Sequence, residues 1–338
     1  GGNAFVISDT SDVNAGLLQA SDTATVTAAG SVYDKDADTE ADIAAGIVTI
    51  DARGGTVGTA DEYLETISGT LNARADSGIF IRELSGRGDD DMNLGLIETA
   101  RGRVSLLAVD GSIIDGNGAV ANILGGDYLH LRAAGGIDTD MISAGLLDAE
   151  AVADIEIDAL AGDMNVLRVF SGMEDVRLCA FNDLINASGQ DEIAVVTARD
   201  ALFQTVNGRI ATAGTYMSVA LSGDLSADAE GDVHVVEVES DMDVGTVTSR
   251  SGDVWLDALA GSMNLGVVNV RQGLADLRVR DSINDRDDDD EAGDYNNINS
   301  TDLNLYAERG HIGTKGNYIE IDTSLSRQGE VTARAYDD

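Results

Sequence analysis

The chain has 338 residues, with 61 acidic against 21 basic side chains and a formal net charge of −40. A surface of that sign repels phosphate backbones and anionic lipid heads, which argues against nucleic-acid and membrane-surface partners. Cys179 is the sole cysteine, so an internal disulfide and a cysteine-based zinc site are excluded, and no apolar run approaches the ~18 residues of a membrane span.

Apolar residues make up 43% of the chain, enough for a core and against disorder. Aromatics are only 4% and glycines number 39. Proline is absent, where average usage would give roughly 17. Strand-dense folds avoid proline because it donates nothing to a hydrogen-bond ladder. That reason does not reach the loops.

In chain order, a first acidic insert, 33–42, follows Ser31-Val32 and carries Asp34, Asp36, Asp38 and Asp42. Gly55-Thr56-Val57-Gly58-Thr59 reads as a corner, followed by Tyr63-Leu64. A second insert, 86–91, holds Arg87-Gly88-Asp89. Asp91–Ile113 then aligns without a gap on Asp241–Met263, with nine identities in 23 positions. Ala153–Asn165 matches Gly252–Asn264 at eight of 13 positions. Within these units apolar residues alternate, as in Ile155, Ile157, Ala159 and Val254, Leu256, Ala258. Period two means strand, and glycines mark the turns. The corner returns as Gly136-Ile137-Asp138-Thr139, Gly208-Arg209-Ile210-Ala211-Thr212 and Gly310-His311-Ile312-Gly313-Thr314. The last two again precede a tyrosine, Tyr216 and Tyr318. A third insert occupies 285–297.

A ~21-residue unit of short strands cannot bury its own apolar face, whereas stacked copies bury it continuously. The expected fold is therefore all-β, a parallel β-helix (solenoid) of ~21-residue coils with acidic loop inserts. It is read as a single solenoid over 1–338, a piece of a longer repetitive chain because both ends cut into repeats. Deducting inserts leaves roughly 13–15 coils at ~4.8 Å each. Met141, Met164, Met242 and Met263 are expected to form one inward ladder, and Ala108, Ala133, Ala159 and Ala258 another. Asn93, Asn165 and Asn264, which follow ladder positions, are expected to hydrogen-bond from coil to coil.

The segment Gly102-Arg-Val-Ser-Leu-Leu-Ala-Val-Asp-Gly-Ser-Ile-Ile-Asp-Gly-Asn-Gly118 and the repeated corners resemble the β-helical repeats of filamentous-haemagglutinin-type proteins. The similarity is closest to very large repetitive surface adhesins of Gram-negative bacteria. It implies a right-handed β-helical shaft of a secreted or cell-surface adhesin or fibre, and so an extracellular location.

The chemistry-bearing residues are few. His130 and His234 lie between inward apolar neighbours and are expected on the solvent face; no serine or cysteine sits in a nucleophile motif. Paired carboxylates are guaranteed by composition and do not by themselves mark a glycosidase or lyase. Alternating Asp34, Asp36, Asp38 and Asp285, Asp287, Asp289 offer hard oxygens at calcium-loop spacing without the full EF-hand pattern, so the inserts read either as solvated acidic loops or as sites for Ca2+, the one candidate cofactor. Trp255 and Cys179 are expected to face outward, Trp255 as a surface on which a sugar ring could stack. The expected function is a non-catalytic structural or adhesive shaft. Its partners would be neighbouring repeats, like chains in a fibre or surface layer, or surface glycans. The alternatives are a β-helical carbohydrate-active enzyme and a calcium-organised surface-layer or sheath subunit.

Overall fold

The computed structural model describes residues 2–86, 88, 90–143, 145–286, 296–323 and 329–336. Strands and no helix occur among these residues, and the strand pairings are parallel. The chain divides into two units, Gly1–Met164 and Asn165–Asp338, each a parallel β-solenoid.

In the first unit one inward column runs Val26, Ile50, Ala73, Ile97, Ile123, Met141, Ala159, each residue in register with the next coil. A second runs Ile81, Leu106, Leu131, Ala149 and a third Met92, Ile113, Ile137, Ile155. In the second unit the columns include Leu178, Phe203, Ala227, Val247, Val268, Ile298, Ile321 and Met217, Val235, Leu256, Leu277, Leu305, Ala333. Most of these side chains are fully buried. The alternation that marks strands in the sequence is thus the alternation between core and surface. Stacking one apolar side chain on its counterpart is what each coil lacks alone.

The two expected ladders hold only in part. Met242 pairs with Met263, and Ala108 with Ala133. Met141, however, stacks between Ile123 and Ala159 and not on another methionine, which also takes Ala159 out of the alanine column. The reason is coil length. Ile113 and Ile137 stand 24 residues apart, Ile137 and Ile155 only 18, so a constant period misplaces the later residues. The turns absorb the difference.

The glycine of the repeat has a steric cause. Opposite Gly95 and Gly245 the register slips, between Leu71 and Ala73 and between Leu225 and Ala227. The slipped position is filled from the neighbouring coil, where Asn72 Oδ1 accepts the Leu96 N–H at 3.0 Å. A Cβ on Gly95 would collide with that oxygen. Asn264 behaves as expected, donating to Asp243 Oδ1 at 2.6 Å and accepting from Asn284 at 3.0 Å.

Three of the four predicted corners share one geometry. Gly58, Ala211 and Gly313 are left-handed at φ 61°, 57° and 60°, and each is followed by a short threonine-anchored loop such as Thr212–Thr215. Gly136–Thr139 is different: Ile137–Ile142 is a continuous strand there.

Candidate cation site at a solenoid corner

The first acidic insert leaves the strand Val32–Asp34 and re-enters at the strand Ile43–Ala52. Val32 is fully buried, so period two carries Asp34 inward as well, to 9% exposure. Its Oδ1 accepts the Asp36 N–H at 2.8 Å, closing an Asx turn, while the Lys35 N–H donates to the Ala15 carbonyl at 2.8 Å. Asp36 and Asp38 are exposed. Asp38 caps the Glu40 N–H at 2.7 Å and Asp36 faces the Lys35 ammonium at 3.5 Å. The loop therefore does not gather Asp34, Asp36 and Asp38 round one point.

Asp34 is instead brought to Asp42 and Glu65. Asp42, 5% exposed, precedes Ile43, and Glu65, 2% exposed, stands above it in the next coil because Ile43 pairs with Thr66. One carboxylate oxygen of each of the three lies within 4.8 Å of the others. Asp42 Oδ2 accepts the Glu65 N–H at 3.0 Å. Glu65 Oε1 pairs with Arg82 Nη1 at 3.1 Å, and Glu65 Oε2 takes no hydrogen bond. Burial pushes the Asp42 carboxyl up to about 8; the Glu65 N–H opposes the rise and the charges of Asp34 and Glu65 add to it. Burial likewise lifts Glu65 to about 7 against the pull of the Arg82 guanidinium. Glu83, equally buried, differs by being satisfied, with Thr66 Oγ1 at 2.6 Å, Ser68 Oγ at 3.0 Å and the Ser68 N–H all donating to it. Three converging carboxylates, with Glu65 Oε2 taking no hydrogen bond, suit a cation or a shared proton.

At the third insert Asp285 ends the strand Ile283–Asp285, is 5% exposed, and accepts from Asn297 Nδ2 at 2.8 Å. Asp287 and Asp289 lie outside the described residues, as do Arg87 and Asp89.

The histidines are less exposed than alternation alone predicts. His130 is half-buried within the outward column Phe80, Ser105, His130, Asp148. Ser105 Oγ lies 2.8 Å from His130 Nδ1 and 2.6 Å from Tyr63 Oη. A serine, a histidine and an aspartate thus share one column, which sequence spacing of 25 and 18 residues conceals. Ser105 is fully buried, with both partners already on its hydroxyl, so it presents no accessible nucleophile. His234 is 1% exposed, stacked at 4.0 Å on Trp255 and edge-on to Tyr216 at 5.4 Å. Solvent-side residues of consecutive coils bury one another when they are aromatic, an effect that alternation within one strand does not report. One face of Trp255 is therefore already covered. Cys179 is half-buried. Burial holds both histidines below their usual range, with Arg103 reinforcing the effect at His130, and Asp232 and Asp253 opposing it at His234.

The chain matches no protein-family model, and no curated protein or solved structure is significantly similar to it.

Proposed function

We propose that this segment is a structural and adhesive shaft of a large secreted or cell-surface protein, and that it does no catalysis itself. The observation that carries the reading is the register. Apolar columns pass from coil to coil in each unit, while charged and polar side chains occupy most of the outward positions between them. A solenoid of this kind works by rigidity and by repeated surface. Like chains or surface glycans are the partners such a surface suits, with calcium as the counter-cation of its acidic inserts. Because the same class of fold also hosts carbohydrate chemistry, function must be argued from sites. The Ser105–His130 pair is sealed by Tyr63.

The test has two arms. Antibodies to the segment are expected to label the outside of intact producing cells. Incubation with uronate-containing and neutral polysaccharides is expected to leave their chain length unchanged. Chain shortening that tracks the purified protein, or labelling only after lysis, would overturn the proposal.

A further inference from the structure

The corner that holds Asp34 and Asp42 occurs three times, and its second residue is an aspartate in the first copy and an asparagine in the other two. In the second copy Asp115 takes the place of Asp34, Asn122 that of Asp42 and Asp140 that of Glu65. In the third the residues are Asp285, Asn297 and Glu320. The register defines these equivalences. Asp34, Asp115 and Asp285 pair with Ala15, Leu94 and Leu265 of the coil below. The N–H of the next residue donates to the same carbonyl each time: Lys35 to Ala15, Gly116 to Leu94, Arg286 to Leu265. The second residue accepts from the coil above each time: Asp42 from Glu65 N–H at 3.0 Å, Asn122 from Asp140 N–H at 3.0 Å, Asn297 from Glu320 N–H at 2.9 Å.

In the two asparagine copies the remaining atom is an amide nitrogen inside a cradle of oxygens. Asn122 Nδ2 donates to Leu94 O and Asp115 Oδ1 at 2.9 Å each, and to Gly95 O at 3.3 Å. Asn297 Nδ2 donates to Asp285 Oδ1 at 2.8 Å and to Leu265 O and Gly266 O at 3.2 Å each. In the first copy the residue is an aspartate, so a carboxylate oxygen stands where a donor is required. By register the carbonyls of Ala15 and Gly16 and the Asp34 carboxylate form the same cradle. Glu65, 2% exposed, brings in an Oε2 without a hydrogen bond. Lys35, the lysine of this insert, directs its ammonium at Asp36.

We propose that this corner binds a divalent cation, calcium by its all-oxygen donor set, in the slot that an asparagine amide fills in the two sister corners, with Asp34, Asp42 and Glu65 as its carboxylate ligands. The charge agrees. Three carboxylates less the Arg82 guanidinium on Glu65 leave two negative charges. Calcium takes six to eight oxygens at about 2.3–2.6 Å, and carboxylates and carbonyls both serve. The site goes beyond the shaft reading and does not depend on it. It is a buried site distinct from the exposed carboxylates of the loop, in which Asp36 and Asp38 are not ligands.

The test uses the whole 338-residue chain, stripped of metal. Calcium chloride is titrated calorimetrically in a high sodium chloride background, which suppresses loose counter-ion binding to the acidic surface. The wild-type chain is expected to show one saturable calcium site. Asp42→Asn supplies the missing amide, so it is expected to lose that site and to melt higher than wild type in chelator. Asn122→Asp combined with Asp140→Glu gives the second corner the same three residues as the first, and is expected either to gain a second calcium site or to need calcium in order to fold. No saturable site in wild type overturns the proposal, as does an Asp42→Asn chain that keeps the site. The Asn122→Asp, Asp140→Glu chain overturns it too if it folds in chelator and gains no site.

Discussion

Leu256 and Asp257 are neighbours in the strand Val254–Ala258 and lie on opposite faces. Leu256 is 1% exposed and sits in register between Val235 below and Leu277 above. Replacing it by aspartate forfeits about 2–3 kcal/mol of apolar burial. The new carboxylate arrives in a column whose backbone N–H groups are already in ladders, so it must take up a proton instead of staying charged. Protonating a carboxyl of ordinary pKa at neutral pH costs about 4 kcal/mol. The buried hydroxyl is still unpartnered, so the loss exceeds about 5 kcal/mol. That is comparable with the whole stability of a typical domain, about 5–15 kcal/mol. Asp257 is half-buried, and burial raises its carboxyl against the pull of Arg278 while Asp276 adds to the rise. Removing a partly desolvated charge beside another acid costs little, so Asp257→Ala is expected within about 0.5 kcal/mol of wild type. Urea unfolding followed by the fluorescence of Trp255, the sole tryptophan, reports the coil that holds both residues. Because a solenoid's stability is a sum over neighbouring coils, hydrogen exchange along Val233–Glu237 and Leu274–Val279 should show Leu256→Asp opening the coils on either side. Equal shifts for the two variants, or a larger one for Asp257→Ala, would refute the assignment of faces.

His234 gives the protein an acid-sensitive flank. Its folded pKa lies below the unfolded value because burial against Tyr216 and Trp255 outweighs the attraction of Asp232 and Asp253, with Arg209 acting in the same sense as burial. The unfolded chain therefore binds the extra proton first, and stability falls as pH drops below about 6.5, by at most about 1.4 kcal/mol per pH unit. His234→Phe keeps the aromatic column and is expected to remove that part of the slope in melts between pH 7 and pH 5; an unchanged slope would refute it. At the left-handed corners, Ala211→Gly is expected to stabilise by less than about 1 kcal/mol, because relief of the Cβ clash is partly offset by unfolded-chain entropy. Gly58→Ala is expected to destabilise, since its Cβ would collide with the Phe80 carbonyl. Thermal melts of the pair should move in opposite directions.

What could be read from residues alone was whatever repeats along the chain. Alternation in Val254, Leu256 and Ala258 marks the inward face because each strand reports its own two sides, and the structure buries all three. The match of Asp91–Ile113 to Asp241–Met263 likewise reports stacking, since residues one coil apart share an environment. Contacts between coils of unequal length were not legible. Met141 and Ala159 left their expected columns because the coil from Ile137 to Ile155 is short. His234 went from the surface to 1% exposure because Tyr216 and Trp255 flank it from adjacent coils. At the first insert, the regular spacing of Asp34, Asp36 and Asp38 drew attention to the loop, whereas the fold joins Asp34 to Asp42 and Glu65 across a turn and a coil. A usable signal did exist. Asn122 and Asn297 each precede the isoleucine with which the chain re-enters the sheet after a corner, and Asp42 stands in the same place before Ile43. Aligning these corners by their exits would have exposed the substitution.

The distribution of charge separates two kinds of cation. A net −40 over coils of ~21 residues leaves two to three negative charges for every ~4.8 Å step of the ladder, close to the one per ~1.7 Å of duplex DNA. Arginines relieve this locally by reaching between coils, as Arg250 does to Asp228, Arg132 to Glu150 at 2.7 Å, and Arg199 to Glu174 at 2.6 Å. With 21 basic residues for 61 acids, most outward carboxylates must be neutralised by mobile ions. Those carboxylates keep their hydration, so a diffuse atmosphere of cations screens them without a fixed site. Asp42 and Glu65 are not in that position. At 5% and 2% exposure they have given up most of their water, and a diffuse ionic atmosphere does not return it. Only a partner inside the corner can do so, whether proton, amide or coordinated ion. Sodium chloride therefore leaves this corner's need unmet, and the Asp42→Asn substitution meets it without any ion.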